Sequence, residues 1–371
     1  MNASNNDSQL AWILAGPKAG DNAQLRTLAG ALNELGDWII DEKPLAFQRY
    51  ELLLHLFSRP TLAGLDKPSR TGLRPPWPDL LLTAGRRNEL VARWIKNRSG
   101  GHTRLVHVGR PWSRPDRFDL VVSTPQYALA PSANVLINPL PLHQQDRGKL
   151  SNATACWATR LDHLPTPRVA LLLGGNSGPF VFTSAAADRL AQQLNTFVGS
   201  LNGSLLVTTS PRTPGDFACR LEQGIDVPFF SYQWNPNAEA NPYWAFLALA
   251  DRIVVTEESI SMITEALATG KPTYLASVAP AASRPWWLRP DSYRWKPLTH
   301  RLAMAFAPAR FYRDVGRIHA ELVGDGRAAW LGEGHPSTRH AEDSSLSATA
   351  SRIQALMSES VGRRDKARSR L

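Results

Sequence analysis

The segment RVALLLGGNSGPF (168–180) contains the pattern that decides the fold. Its five consecutive apolar residues predict a short strand buried on both faces, and the glycines that follow predict a tight loop. A helix is predicted next, near 183–199. A strand, a loop and a helix in this order open a β-α-β unit, so the segment predicts a doubly wound parallel sheet.

Two series of such units follow one another along the chain. The second series continues with strand patterns at 203–210, 227–232, 252–259 and 271–277 and a helix near 260–269. The first series has a helix at 21–36 and strand patterns at 11–16, 37–41, 78–85, 104–109, 118–124 and 134–139. The sequence therefore predicts an α/β fold with two Rossmann-like, doubly wound parallel-sheet domains that face each other across a cleft. The predicted divisions are an N-terminal domain at 1–160, a second domain at 161–300, and C-terminal helices with a basic tail at 301–371.

The composition excludes several classes of protein. With 371 residues, 43% of them hydrophobic and 20% charged, the chain is long and apolar enough for more than one folded domain. Two cysteines are too few for a disulfide framework and indicate a reducing compartment. The first thirty residues lack the pattern of a secretory signal, and no apolar run is long enough to span a membrane. These features predict a cytoplasmic protein.

The net charge of +10 is concentrated in two segments. Residues 86–117 contain nine basic and two acidic residues, and the tail 361–371 contains five basic residues and one acidic residue. Basic segments that include tryptophans, here Trp94 and Trp112, suit an anionic membrane surface, a nucleotide or simply a solvated face. No nucleic-acid-binding module accompanies them, so nucleic acid is not an expected partner.

Ligands of open α/β sheets bind at the carboxyl ends of the strands, so the loops there contain the candidate site residues. In the first domain the loop GPKAGDNAQ (16–24) contains Asp21, which is either a helix N-cap or a general base. Arginines follow two other strands of this domain. Arg86 and Arg87 stand at a predicted helix start, where their positive charge is unfavourable to the helix dipole, so a partner such as a bound anion is expected. The candidate contacts to an acceptor substrate are Lys18, Gly20, Asn22, Gln24, Arg86, Arg87 and Arg110.

In the second domain three strand ends have groups that suit a phosphate. Glycines at 174–175 allow close approach of the backbone, although the loop matches neither common phosphate-binding glycine pattern. The segment 205–214 surrounds an arginine with hydroxyl groups, which form either a phosphate site or only a loop. The last strand leads to a predicted helix start near 259, where free N–H groups and the dipole favour an anion. The candidate donor-binding residues are Gly174, Gly175, Asn176, Ser177, Ser210, Arg212, Thr213, Thr256, Ser259, Ser261, Met262 and Glu265.

Glu265 lies six residues after Ser259, inside the predicted helix. Its carboxylate either accepts hydrogen bonds from the hydroxyls of a ribose or pairs with Lys271. No clear Asp-x-Asp motif is present, so we expect no metal at this site and no cofactor other than a nucleotide-linked co-substrate.

These motifs together resemble the fission "elongated mitochondria" family, whose plant members bear that name. The resemblance rests on GPKAGDNAQ, PDLLLTAGRR, LGGNSG, TTSPRTP, NPYWAFLALAD and SISMITEALATGKP, in this order along the chain. The family is similar to glycosyltransferases built of two Rossmann-like domains (GT-B type). This implies a nucleotide-sugar in the second domain, with its diphosphate at the serine-rich helix start and its ribose at Glu265. Two positions depart from the family pattern, since Pro211 and Glu258 stand where arginine and aspartate are expected.

The residues and the resemblance together predict a metal-independent glycosyltransferase. Its nucleotide-sugar donor would supply a sugar to an anionic glycolipid of the cell envelope, such as a lipopolysaccharide core, with Asp21 as the catalytic base. Such an enzyme would lie on the inner face of the cytoplasmic membrane as a peripheral protein. Two alternatives stay open: a non-catalytic GT-B scaffold that recruits a membrane-remodelling partner, and a nucleotide-sugar epimerase.

Overall fold

The computed structural model describes residues 8–48, 59–237, 241–278, 302, 305–306, 313–337 and 344–368, with the side chains of the last helix included up to residue 359. Two compact units are present: unit 1 comprises 1–143 and 343–371, and unit 2 comprises 144–342. The side chains of the basic tail lie outside the described residues. Each unit contains one six-stranded parallel sheet, which confirms the predicted α/β class.

Unit 1 contains the strands of the first predicted series. They are β1 (Gln9–Ala15), β2 (Trp38–Pro44), β3 (Leu80–Ala84), β4 (Arg104–Val108), β5 (Leu120–Ser123) and β6 (Val135–Ile137). The helices assigned to this unit are α1 (Ala19–Leu35), α2 (Lys67–Thr71), α3 (Arg86–Arg98) and α10 (Ser345–Arg368). The strands are ordered β2-β1-β3-β4-β5-β6 across the sheet.

Unit 2 contains the five strands of the second predicted series and one strand that was not predicted. The five are β7 (Arg168–Leu172), β8 (Ser204–Thr208), β9 (Phe229–Tyr232), β10 (Arg252–Thr256) and β11 (Thr273–Ala276). The sixth, β12 (Ala329–Trp330), lies in the segment that was predicted to contain only C-terminal helices and a basic tail. The helices assigned to this unit are α4 (Arg147–Leu161), α5 (Ser184–Ser200), α6 (Gly215–Gln223), α7 (Tyr243–Leu249), α8 (Ile260–Ala268) and α9 (Gly316–Gly324). The strands are ordered β12-β11-β10-β7-β8-β9.

The apolar runs of the strands are explained by burial of both faces of each sheet. In β3, Leu80 and Leu82 belong to one core cluster with Leu25 of α1, whereas Leu81 belongs to a second cluster with Val91 of α3. Successive residues of a strand point to opposite faces, so a sheet with helices on both sides needs apolar residues at consecutive positions.

Each sheet has one point at which the order of the strands reverses. In unit 1 the chain places β2 on one side of β1 and β3 on the other, and in unit 2 it places β8 on one side of β7 and β10 on the other. A crevice forms outside the carboxyl ends of the two strands at such a topological switch point, and ligands bind there. The candidate loops 16–24 and 174–178 follow β1 and β7, so both begin at switch points.

The division into units differs from the predicted boundaries. Helix α4 belongs to unit 2, where the Trp157 ring lies 6.0 Å from Phe230 and 6.3 Å from Tyr232, so unit 2 begins before residue 161. Helix α10 returns to unit 1, because Ile353 and Met357 are buried in its core. Burial of each such side chain contributes about 1.5–3 kcal/mol. The spacing of the apolar residues in α10 does not show which of the two units this helix packs against.

Among the described residues, no helix is both long enough and apolar enough to cross a bilayer.

Candidate functional site

The glycine loop after β7 is fastened to the segment after β10 at the switch point of unit 2. The N–H of Gly174 donates to Oγ1 of Thr256 over 2.9 Å, and the N–H of Gly175 donates to Oε1 of Glu258 over 2.8 Å. Thr256 and Glu258 are both almost fully buried. These two N–H groups, which we expected to bind a phosphate, therefore already have partners within unit 2.

Glycine is needed at 174 and 175 because of close packing. A Cβ added to Gly174 would lie 1.7 Å from Oε1 of Glu258, and one added to Gly175 would lie 2.1 Å from the backbone carbonyl of Arg212. No side chain fits at either distance. The groups that approach these glycines belong to this chain, so close approach of a phosphate to them stays a prediction.

The hydroxyl groups around Arg212 mostly hold this same loop. Ser210 Oγ donates to the carbonyl oxygen of Gly174 over 2.6 Å, and Thr213 Oγ1 bonds to the same oxygen. Thr213 Oγ1 also accepts from the N–H of Ser210 over 2.8 Å. Of the two alternatives for the 205–214 segment, the structure favours the loop for Ser210 and Thr213, because their hydroxyls are used internally.

A smaller set of the predicted donor-binding residues reaches solvent at this edge of the sheet. Asn176, Arg212 and Ser261 are exposed, and Ser177 and Met262 are half-buried. Helix α8 begins at Ile260 after Ser259, whose side chain makes no capping hydrogen bond. The first N–H groups of a helix carry partial positive charge, so this edge combines a guanidinium, a hydroxyl and a helix N-terminus. Together these groups suit an anion.

Glu258 is a buried carboxyl of this site, and sequence reasoning noted it only as a departure from the family pattern. Burial raises its pKa from 4.5 to about 7, although the hydrogen bond from Gly175 and the nearby Arg212 act in the opposite direction. Its second oxygen, Oε2, has no hydrogen-bond partner among the described residues. Arg313 donates to the backbone carbonyl of Glu258 over 3.4 Å. The carboxyl is thus poised between its neutral and charged forms near pH 7.

Glu265 lies in the middle of α8 and pairs with a tyrosine. The hydroxyl of Tyr243 donates to Oε2 of Glu265, and burial raises the pKa of both groups, that of Tyr243 well above 10. The alternative pairing with Lys271 is wrong, since Lys271 Nζ donates to the carbonyls of Leu247 (2.8 Å) and Ala248 (2.5 Å) at the end of α7. Sequence reasoning missed Tyr243 because it lies 22 residues before Glu265.

Asp21 lies at the switch point of unit 1. Helix α1 begins at Ala19 with Lys18 as its N-cap residue, so Asp21 is in the first turn and the N-cap alternative is wrong. Its Oδ2 lies 3.9 Å from Lys18 Nζ, and a Cβ on Gly85, the residue after β3, would lie 2.9 Å from that same oxygen. About one third of the Asp21 side chain is exposed, so its carboxylate is accessible from solvent.

The other acceptor candidates near Asp21 differ in their surroundings. Asn22 bonds to both backbone groups of Gly16, at 2.8 and 3.0 Å, and therefore holds the loop. Gln24 accepts from the N–H of Leu142 over 3.3 Å, and Gly20 is exposed with open space around it. The structure thus gives Asn22 a local structural role and leaves Gly20 at the surface.

The predicted arginines are also at the carboxyl edge of the first sheet. Arg86 and Arg87 form the first turn of α3, as predicted, and the Arg86 guanidinium lies 4.5 Å from the centre of the Trp112 ring. Arg110 lies 5.6 Å from the Tyr127 ring, and burial lowers its pKa. Both cations therefore have aromatic neighbours, which offset the unfavourable helix dipole at Arg86.

A buried acid that the sequence did not single out shapes the loop beside them. Glu89 is fully buried in α3 and accepts from the N–H groups of Trp112 (2.5 Å) and Ser113 (2.9 Å). Burial raises the pKa of Glu89. Its carboxyl holds the loop after β4 so that Trp112, 41% exposed, remains at the surface.

Within the described residues, no three His, Cys, Asp or Glu side chains are grouped so that they could hold a metal ion. The expectation of a site that works without metal stays a prediction.

Comparison of the sequence with models of known protein families finds a match to one family. The family model described as "Mitochondrial fission ELM1" matches residues 19–288. The mitochondrial fission protein ELM1 of Arabidopsis thaliana is 27% identical over 234 residues, which cover 57% of this chain and 54% of that protein. The chain therefore spans about half the length of this curated relative.

Solved structures with similar folds include enzymes of two kinds. A glycosyltransferase from Rickettsia africae has a TM-score of 0.49 at 9% identity, covering 96% of this chain and 99% of that one. The UDP-GlcNAc 2-epimerase of Methanocaldococcus jannaschii also has a TM-score of 0.49, at 10% identity, covering 93% and 99%. At these values neither structure assigns an activity to this chain.

Proposed function

This chain belongs to the Mitochondrial fission ELM1 family, and we propose that it is a glycosyltransferase that uses a nucleotide-sugar. The observation that carries the proposal is the edge of the second sheet, where Arg212, Ser261 and the first turn of α8 are grouped at the switch point between β7 and β10. That position is where doubly wound sheets bind nucleotides.

The diphosphate of the donor is assigned to the start of α8. The dipole of an exposed helix contributes only about 0.3–1 kcal/mol, whereas a micromolar nucleotide needs about 8 kcal/mol. The exposed guanidinium of Arg212 and the hydroxyl of Ser261 therefore have to contribute charge-assisted hydrogen bonds. In the transition state the same groups would stabilise the charge that develops on the leaving diphosphate.

The ribose is assigned to Glu265. Tyr243 holds one carboxylate oxygen, so the carboxylate is fixed in orientation before a ligand arrives. Glu265 is half-buried, and we propose that its other oxygen, Oε1, accepts a hydrogen bond from a ribose hydroxyl. The rigid core beneath α8, which includes the fully buried Ile263, supports this arrangement.

In unit 1 we assign Asp21 as the general base that removes a proton from the acceptor hydroxyl. Its partial exposure and its place at a switch point support this role. The acceptor is proposed to be a glycolipid of the cell envelope, and the exposed Trp112 beside Arg86 supports contact with an anionic membrane surface. We therefore propose a peripheral location on the inner face of the cytoplasmic membrane.

The test is a transfer assay with radiolabelled nucleotide-sugars and a bacterial glycolipid extract in the presence of EDTA. The wild-type chain should move label into the lipid fraction. Asp21→Ala should reduce transfer at least about 100-fold, the contribution expected of a general base, and leave nucleotide affinity within a factor of two. A matched control is Asp37→Ala, an exposed aspartate of the same unit.

Other outcomes separate the alternatives. Equal losses of transfer and nucleotide affinity in Asp21→Ala would make Asp21 a structural residue. Conversion of a UDP-sugar into its epimer without any acceptor would favour the epimerase. Nucleotide binding without any reaction would favour the recruiting scaffold.

A further inference from the structure

The sheet of unit 1 has an edge strand that is long and exposed. Among the described residues, β2 pairs with β1 and with no other strand. It has seven residues, whereas the other edge strands of the two sheets, β6, β9 and β12, have three, four and two. Natural sheets keep their edges short because an unpaired edge invites another strand. The length of β2 therefore points to an edge that a partner covers.

Apolar side chains reach solvent along this edge. Leu35 at the end of α1 is 44% exposed, Ile39 is 56% exposed and Ile40 is 38% exposed. Trp38 is half-buried and packs against the core beneath α1. Because successive residues of a strand point to opposite faces, Ile40 shares the face of Trp38, and Ile39 is on the other face. Both faces of the edge thus present apolar surface to a partner.

The pairing with β1 shows which backbone groups of β2 point outward. The N–H of Gln9 donates to the carbonyl of Asp37 over 3.2 Å, and the N–H of Leu45 donates to the carbonyl of Ala15 over 2.8 Å. In a parallel pair the N–H and C=O of one residue point to the same side, and those of the next residue point to the other side. Odd-numbered residues of β2 therefore face β1, and the N–H and C=O of Ile40 point away from the sheet. Within the described part of the chain, neither group of Ile40 has a hydrogen-bond partner.

Two copies of this edge can pair around a two-fold axis, which makes the two strands antiparallel. The residue on the axis then lies opposite itself. With Ile39 on the axis, Asp37 would lie opposite Asp41 of the second copy. With Asp41 on the axis, two aspartates would face each other directly. Like charges directly opposite each other destabilise a strand pair, so both of these registers are unfavourable.

The register with Ile40 on the axis is favourable. It places Asp37 of each copy opposite Lys43 of the other copy, which gives two pairs of opposite charge. Lys43 already lies 2.6 Å from Asp41 of its own strand, so the lysine would lie between two carboxylates. Pro44, which has no N–H to donate, falls just outside the paired residues. The sequence of β2 is therefore complementary to itself in this register.

The charge of Glu42 is neutralised within unit 1. In the favourable register Glu42 would lie opposite Trp38 of the second copy. Arg26 of α1 donates to both carboxylate oxygens of Glu42, over 2.6 and 2.9 Å. Glu42 therefore brings no unpaired charge into the contact, which would otherwise be costly.

We propose that β2 is an interface that binds a second copy of this chain by antiparallel strand pairing, with Ile40 on the two-fold axis. The six-stranded sheets of the two copies would become one continuous sheet, and each Ile40 would exchange two backbone hydrogen bonds with the other. The contact lies along the side of the sheet and leaves the loop of Asp21, at the carboxyl ends of the strands, open. The proposal does not depend on the proposed function.

The first experiment is sedimentation velocity of the full-length chain from about 1 to about 100 µM, a range that detects dimers of micromolar Kd or tighter. The wild-type chain should form a species of twice the mass of one chain. Ile40→Lys places two positive charges face to face on the axis and should weaken the dimer about 100-fold or more. The matched control is Ile137→Lys, at the opposite edge of the same sheet, where the residue is 39% exposed; it should leave the dimer unchanged.

Two results would overturn the proposal. A wild-type chain that stays monomeric at every concentration would leave the edge to a different partner. Equal effects of Ile40→Lys and Ile137→Lys would show that the strand pairing does not depend on β2.

Cross-linking tests the register without adding a charge, and it still decides if Ile40→Lys does not fold. The two exposed native cysteines are first removed by Cys156→Ser and Cys219→Ser. Ile40→Cys then brings the Cα atoms of the two copies about 5.5 Å apart, within the range of a disulfide. Mild oxidation should convert this variant into a covalent dimer.

The control for cross-linking is Ile39→Cys in the same background. Its two copies would be displaced by two residues along the strands as well as across them, so their Cα atoms lie beyond about 7 Å and should cross-link at least about tenfold more slowly. Absence of a covalent dimer in Ile40→Cys, or equal rates for the two variants, would contradict the proposed pairing.

Discussion

Replacement of Glu258 by glutamine should remove a pH-dependent loss of stability. In the folded chain, burial raises the pKa of this carboxyl from 4.5 to about 7. The folded state therefore holds the proton more tightly than the unfolded state does. Stability from this source is fully present below pH 4.5 and is lost as the pH rises towards 7.

The size of the effect follows from the change in pKa. One pKa unit corresponds to about 1.4 kcal/mol, so the rise from 4.5 to about 7 amounts to about 3 kcal/mol between pH 4.5 and pH 8. Glutamine stays neutral throughout and retains a carbonyl oxygen for the N–H of Gly175. Any unpaired amide of the new side chain adds a constant cost of about 1–3 kcal/mol, which does not change with pH.

The assay is urea unfolding at pH 5, 6, 7 and 8, followed by tryptophan fluorescence. The free energy of unfolding of Glu258→Gln, minus that of the wild type, should rise by about 2.5 kcal/mol from pH 5 to pH 8. Glu333→Gln, an exposed glutamate of unit 2, is the control and should give a flat difference. A flat difference for Glu258→Gln as well would refute the claim that burial raises the pKa of this carboxyl.

Three further changes test other parts of the structure. Gly174→Ala places a methyl group where Glu258 Oε1 lies and should lower the free energy of unfolding by about 1–3 kcal/mol. The control Gly199→Ala, at an open position in α5, should raise the free energy of unfolding by about 0.5–1 kcal/mol. Equal effects of the two substitutions in urea unfolding would contradict the packing argument. Glu265→Gln should weaken nucleoside diphosphate binding about 10–100-fold by calorimetry, and unchanged affinity would exclude it from the ribose site. Deletion of 361–371 should reduce sedimentation with anionic vesicles at low salt, and equal binding would remove the tail from membrane contact.

The sequence was sufficient for eleven of the twelve described strands because their signal is local. Most of these strands are short apolar runs such as Leu80–Leu82, and the helices between them complete the alternation that a doubly wound sheet requires. The two-residue strand β12 was missed because it is too short to form such a run. The place of the candidate loops at switch points follows from the same alternation. The arrangement of the two units across a cleft stays a prediction.

The chemistry at the strand ends was harder to predict because its partners are distant in sequence. The glycines at 174–175 were found, but their N–H groups bond to residues 82 and 83 positions later. Glu258 was noted only as a departure from a family pattern, since nothing local shows that its side chain is buried. Helix α10 joins unit 1 across more than 200 residues, as Asn138 and Thr349 illustrate.

The most direct test of the central claim, that unit 2 binds a nucleoside diphosphate at the start of α8, is a thermal-shift titration. The wild-type chain would be melted in EDTA with UDP, GDP, ADP, dTDP or CMP at about 100 times the expected Kd, at which a bound ligand adds about 2.7 kcal/mol. One nucleoside diphosphate should raise the Tm by about 5–10 °C, and Glu265→Gln should lose most of that shift. No shift with any of the five nucleotides, in a chain that melts cooperatively without them, would contradict the claim.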